Sequence, residues 1–103
     1  MTINLAGESI QDFIETLSFG EYIRLIRESD KITQRELAKR IGCKPQYINA
    51  IENGREKSSI EFANRIADAL GYSVAPFAEI LLQEQLKSLD PLLQIQITSR
   101  AHL

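Results

Sequence analysis

Gln46, Asn49 and Ala50 are the side chains whose types and spacing have most to offer another molecule. A primary amide donates through its nitrogen and accepts through its oxygen, so Gln and Asn can each make two hydrogen bonds to an adenine edge. Ala can touch a thymine methyl. On a helix, residues one turn apart share a face, which points Gln46 and either Asn49 or Ala50 outward while Ile48 and Ile51 point inward. This is the chemistry of readout rather than of catalysis. No glycine-rich phosphate loop is present, and no cysteine or serine has a candidate histidine base. Carboxylates such as Glu21, Glu28 and Asp68 have the character of caps and surface groups. With Cys43 the single cysteine and His102 the single histidine, no disulfide, metal site or cofactor is expected, and Cys43 reads as a small apolar filler.

Readout of nucleic acid needs positive charge, and the formal net charge of -2 taken alone argues against it. The average conceals an asymmetry. From Lys31 to Lys57 the chain has seven basic residues (Lys31, Arg35, Lys39, Arg40, Lys44, Arg55, Lys57) and three acids (Glu36, Glu52, Glu56), a balance of +4. The remainder, with five basic and eleven acidic residues, balances at -6. A cationic middle between acidic ends can present one face to phosphate while the rest keeps the chain soluble. Lys39 and Arg40 are open to two readings, a solvated helix face or phosphate contact.

The elements that must position this middle are helical. A Ser or Thr followed three residues later by an acid marks a helix start, because each side chain satisfies a free backbone N–H of the other. Ser18 with Glu21, Thr33 with Glu36, and Ser58 with Glu61 fit. The apolar spacing behind them (Phe19, Ile23, Ile26; Leu37, Ala38, Ile41; Ile48, Ile51; Ile60, Ala63, Ile66, Ala67, Leu70) predicts helices over about 19–29, 34–41, 45–53 and 59–70. Ser73 caps a fifth over about 74–89, with Phe77, Ile80, Leu81 and Leu82 toward the core or a partner, and Pro76 tolerated in its first turn. Ile10, Phe13, Ile14 and Leu17 predict an additional helix near 9–17. After Pro91, Leu93, Ile95 and Ile97 alternate with polar residues, which predicts a strand with no partner in the chain. It is either a tail or a strand that pairs with another molecule. The expected organisation is therefore an all-α fold with an N-terminal extension (1–17), a five-helix domain (18–89) and a tail (90–103) with a possible dimerisation strand. Neither a membrane-spanning run nor a signal peptide is visible, and the expected location is cytoplasmic.

Two short helices joined by three residues need a small side chain where they approach and a residue tolerant of positive φ in the turn. Ala38 and Gly42 hold those places, Pro45 suits the start of the second helix, and Gly54 its end. With Thr33, Gln34, Leu37, Ile41, Ile48, Ile51, Glu52 and Asn53 at their offsets, residues 19–82 resemble the phage-repressor and Cro-like (xenobiotic response element) helix-turn-helix family. The resemblance implies a lambda-repressor-like, DNA-binding domain acting as a homodimer on a palindromic operator. It implies base contacts from Lys44, Gln46, Asn49 and Ala50, and phosphate contacts from Gln34, Asn53 and Arg55 together with Lys57. It also implies a structural ion pair between Arg27 and Glu52. Tyr47 is ambiguous, its ring packing on the domain or its hydroxyl reaching a phosphate. The chain departs from the family pattern where Lys44 replaces a Ser or Thr cap, and where Ser29, Asp30 and Lys31 replace a glycine-containing turn.

The leading expectation is a repressor-like transcriptional regulator that binds double-stranded DNA. One alternative is an antitoxin that represses its own operon and neutralises a partner toxin. The acidic ends and the orphan strand prompt that reading. Another is a protein-interaction module that has lost DNA binding, although such a module has no need of the +4 middle or of outward Gln46 and Asn49.

Overall fold

The computed structural model describes residues 17–92, and these form five helices and no strand. In chain order they are α1 (Phe19–Ser29), α2 (Gln34–Ile41), α3 (Pro45–Glu52), α4 (Ile60–Leu70) and α5 (Val74–Leu89). The strand expected near 93–98 lies outside the described residues, as does all of the expected N-terminal helix except Leu17, which packs against the core.

Helix starts follow from local hydrogen bonding. Ser18 and Glu21 form a reciprocal box, the hydroxyl accepting from the Glu21 N–H at 3.1 Å and the carboxylate from the Ser18 N–H at 2.9 Å. Thr33 accepts from the Glu36 N–H at 3.0 Å, while the Glu36 carboxylate turns to Arg40 at 2.9 Å, so only half of that box closes. The pairing of Ser58 with Glu61 is a correction. Helix α4 begins one residue later and Ser59 is its cap, accepting from the Phe62 N–H at 3.0 Å. Ser58 is buried and donates to the Ser59 carbonyl. In this register Phe62, Ala63, Ile66, Ala67 and Leu70 face the core, and Ile60, expected among them, is exposed. At α5 the Ser73 hydroxyl accepts from the Ala75 N–H at 3.3 Å.

The core joins all five helices through Phe19, Ile23, Leu37, Ile48, Ile66 and Phe77, each no more than 2% exposed. Truncation of any one aliphatic member to Ala is worth roughly 2–5 kcal/mol. The Tyr22 ring meets Phe77 edge-on at 5.0 Å, which ties α1 to α5. The Tyr72 hydroxyl, on the α4–α5 turn, donates to the Asp30 carboxylate at 2.9 Å and so fastens that turn to the one after α1. No described helix is long and apolar enough to cross a membrane.

Two backbone features set how α3 is held. Gly42 ends α2 at φ +88°, and the Ala38 carbonyl accepts from the N–H groups of both Gly42 and Cys43, so the chain turns sharply into α3 within three residues. Gly20, in the first turn of α1, lies directly on the end of α3. A Cβ there would stand 2.1 Å from the Ile51 carbonyl oxygen and 2.9 Å from that of Glu52. Only glycine allows α1 this close, and α3 is thereby fixed backbone to backbone.

Candidate nucleic-acid interface

Helix α3 opens with Lys44 as its N-cap, in extended backbone conformation and without a capping hydrogen bond. Pro45 at the first helical position reduces the need for a cap, since it has no N–H to satisfy. Lys44 and Gln46 are exposed, and neither side chain bonds to any described residue. Ile48 and Ile51 point into the core, at 1% and 3% exposure, which turns Gln46 outward. Tyr47 is half-buried and stacks edge-on against Phe62 at 4.9 Å, leaving its hydroxyl without a described partner. The Ala50 methyl is half-buried on the same side of the helix as Gln46.

The other end of α3 is closed by a polar cluster built on Glu52, whose side chain is 0% exposed. Arg27 donates to both carboxylate oxygens, Nε to Oε2 at 2.7 Å and Nη2 to Oε1 at 3.0 Å, and its Nη1 donates to the Ile32 carbonyl at 2.7 Å. Gln34 Nε2 donates to Oε1 at 3.0 Å, and Arg24 Nε reaches the same oxygen at 3.4 Å. Burial pushes the Glu52 carboxyl up, but hydrogen bonds from Arg27 and Gln34, the Arg27 charge and the Arg24 hydrogen bond outweigh it and hold the group below its ordinary range. The hydrogen bond to Glu52 raises Arg27 against the opposing effect of its own burial. Among the described residues, no buried side-chain polar atom lacks a partner.

From this cluster hydrogen bonds run outward. Arg24 Nη2 donates to Asn53 Oδ1 at 2.8 Å, and Asn53 Nδ2 donates to the Asn49 carbonyl at 2.9 Å. Asn49 Nδ2 donates to Gln34 Oε1 at 3.4 Å, and Arg55 Nη2 donates to Asn49 Oδ1 at 2.7 Å. Gly54, at φ +76°, lets the chain turn so that the Arg55 and Glu56 N–H groups both meet the Ala50 carbonyl.

The structure thus joins Arg27, Gln34, Asn49, Glu52, Asn53 and Arg55 in one network and sets Lys44, Gln46 and Tyr47 at the opposite end of α3. Lys57 is exposed in the loop beyond. None of Lys44, Arg55 and Lys57 is in an ion pair with a described residue. Arg40 is occupied by Glu36 and by the Ala69 carbonyl. Arg24 and Gly20 also belong to this end of α3, although they are not among the residues expected from sequence. The signal for Arg24 was its place three residues before Arg27, on the same face of α1, whereas Gly20 gave no local signal.

A helix-turn-helix family model matches residues 23–77, just over half of the chain. An uncharacterised HTH-type transcriptional regulator of Methanothermobacter thermautotrophicus is 52% identical over 50 residues, covering 46% of this chain and 72% of that protein. An uncharacterised HTH-type transcriptional regulator of Mycobacterium tuberculosis is 37% identical over 62 residues, and the chain spans 41% of its length. Among solved structures, the P22 c2 repressor in complex with a synthetic operator superposes with a TM-score of 0.57 at 28% identity, over 63% of this chain and 98% of that one. The chain therefore belongs to the helix-turn-helix family, in its Cro and phage-repressor (XRE) branch of DNA-binding transcription regulators.

Proposed function

We propose that the chain is a sequence-specific, repressor-like regulator that binds a palindromic operator as a homodimer, with α3 in the major groove. The observation that carries this is Gln46, an exposed amide without a partner among the described residues, held outward by the burial of Ile48 and Ile51. In this reading Gln46, Lys44 and Ala50 address base edges, and Asn49 lies beside them. Gln34, Tyr47, Asn53, Arg55 and Lys57 address the backbone. Lys44, Arg55 and Lys57 bring positive charge to both ends of α3 without acidic partners among the described residues, as phosphate binding requires. The likeness to a repressor crystallised on its operator supports the same docking. Dimerisation has support in Leu89 and Leu92, which are 81% and 88% exposed at the end of α5. Two copies would set their α3 helices in successive major grooves about 34 Å apart.

Band-shift titration of the DNA flanking the protein's own gene, at several salt concentrations, tests the proposal. Expected are one preferred segment and an affinity that falls steeply with salt. Equal affinity for every segment at low salt would end it.

A further inference from the structure

Asn49 stands one turn from Gln46 on the outward side of α3, yet the two amides are in different chemical states. Reading adenine takes both ends of an Asn amide, the nitrogen donating to N7 and the oxygen accepting from the N6 amine. Each end of the Asn49 amide already has a protein partner, Nδ2 donating to Gln34 Oε1 at 3.4 Å and Oδ1 accepting from Arg55 Nη2 at 2.7 Å, so the protein sets the direction of the amide and leaves one N–H and one lone pair for any base. Its backbone carbonyl is also occupied, by Asn53 Nδ2. Gln46 has no such commitments among the described residues.

We propose that Asn49 is a positioning residue which aims Arg55 at a phosphate, and that Gln46 rather than Asn49 determines amide-based base preference. The inference rests on the DNA-binding role given above. Two features of the contact favour it. Arg55 is held by a neutral oxygen and not by a carboxylate, so its direction is fixed while its charge stays free for phosphate. Asn49 is itself tied through Gln34 to buried Glu52, which anchors the aim of Arg55 to the core.

The test uses the full chain and an operator found by band shift with the wild type. Binding is measured for wild type, Asn49→Ala, Gln46→Ala, Arg55→Ala and the Asn49→Ala/Arg55→Ala double variant, on that operator and on its single-base variants, across a range of salt. Thermal melting of each variant confirms folding. Asn49→Ala is expected to weaken binding to all operator variants by the same factor, about 5- to 10-fold. It should also reduce the slope of log affinity against log salt by about one per half-site, as the loss of one phosphate contact per copy does. Arg55→Ala should do the same, and the double variant should be no weaker than Arg55→Ala alone. Gln46→Ala should flatten preference at one base position and leave the slope unchanged. A loss of discrimination at a single base position in Asn49→Ala, with the wild-type salt slope, would overturn the proposal. Wild-type protein that prefers no sequence defeats the DNA-binding reading itself, before any variant is compared.

Discussion

The two ends of α3 are built on opposite principles. At its C-terminal end, described polar side chains from Asn49 to Arg55 are bonded within the protein, around a carboxylate with no exposed side-chain surface. At its N-terminal end, the side chains of Lys44 and Gln46 are exposed and bond to no described residue. This asymmetry suits a helix of only eight residues to act as a probe. Such a helix is not stable alone, so one end is fixed by buried charge and backbone packing while the other is left with open hydrogen-bonding capacity.

The comparison breaks most readily at Glu52. Glu52→Ala leaves Arg27 buried without its partner, and the expected loss of stability is roughly 3–5 kcal/mol, measured by chemical denaturation. The same pair sets an acid limit. Because the folded Glu52 carboxyl is held below its ordinary 4.5, its contribution is fully present above that pH and is lost as pH falls through the lowered folded value. Wild-type stability should therefore drop in acid more steeply than that of Glu52→Gln, which has no such group to protonate. Equal acid profiles for the two proteins would contradict this.

Gly20→Ala attacks the same end from the backbone side. Its methyl would collide with the Ile51 and Glu52 carbonyls, and a loss of roughly 1–3 kcal/mol is expected from the displacement of α1. An unchanged melting temperature would show that α1 can retreat freely. At the open end, Gln46→Ala should alter stability by less than about 0.5 kcal/mol while removing roughly 1–3 kcal/mol of discrimination at one base pair. Stability and specificity would then separate along the helix.

The smallest effect lies away from α3. Lys31 adopts φ +57°, a conformation unfavourable for a residue with a side chain. Lys31→Gly is expected to stabilise the protein by about 0.5–1 kcal/mol, the relief of strain exceeding the entropy that glycine adds to the unfolded chain. Destabilisation would mean that the Lys31 side chain does more than occupy the turn.

What the sequence makes legible, and what it does not, divides along the same physical line. Helix positions were legible because caps and apolar spacing are local. Ser18, Thr33 and Ser73 each cap the helix that follows. The one displaced start came from two adjacent serines, Ser58 and Ser59, between which only the packing of Phe62 and Ala63 decides. The absence of glycine from the turn at Ser29, Asp30 and Lys31 is visible in the sequence, but which of the three takes positive φ is not, and it is Lys31. Gly20 was silent because its reason lies about thirty residues away, in the carbonyls of Ile51 and Glu52. The hydrogen bonds among Gln34, Asn49 and Arg55 were likewise hidden. Residue type identifies these groups as donors and acceptors but does not say whether they face each other or solvent.

In the proposed function α3 is anchored at one end so that Gln46 reads DNA at the other. Selection of duplexes from a random pool, run in parallel with wild type and Gln46→Ala, tests it most directly. Wild type is expected to enrich one sequence, and the variant, with wild-type stability, the same sequence degenerate at one position in each half-site. Identical enriched sequences from the two proteins, or none from wild type, would contradict it.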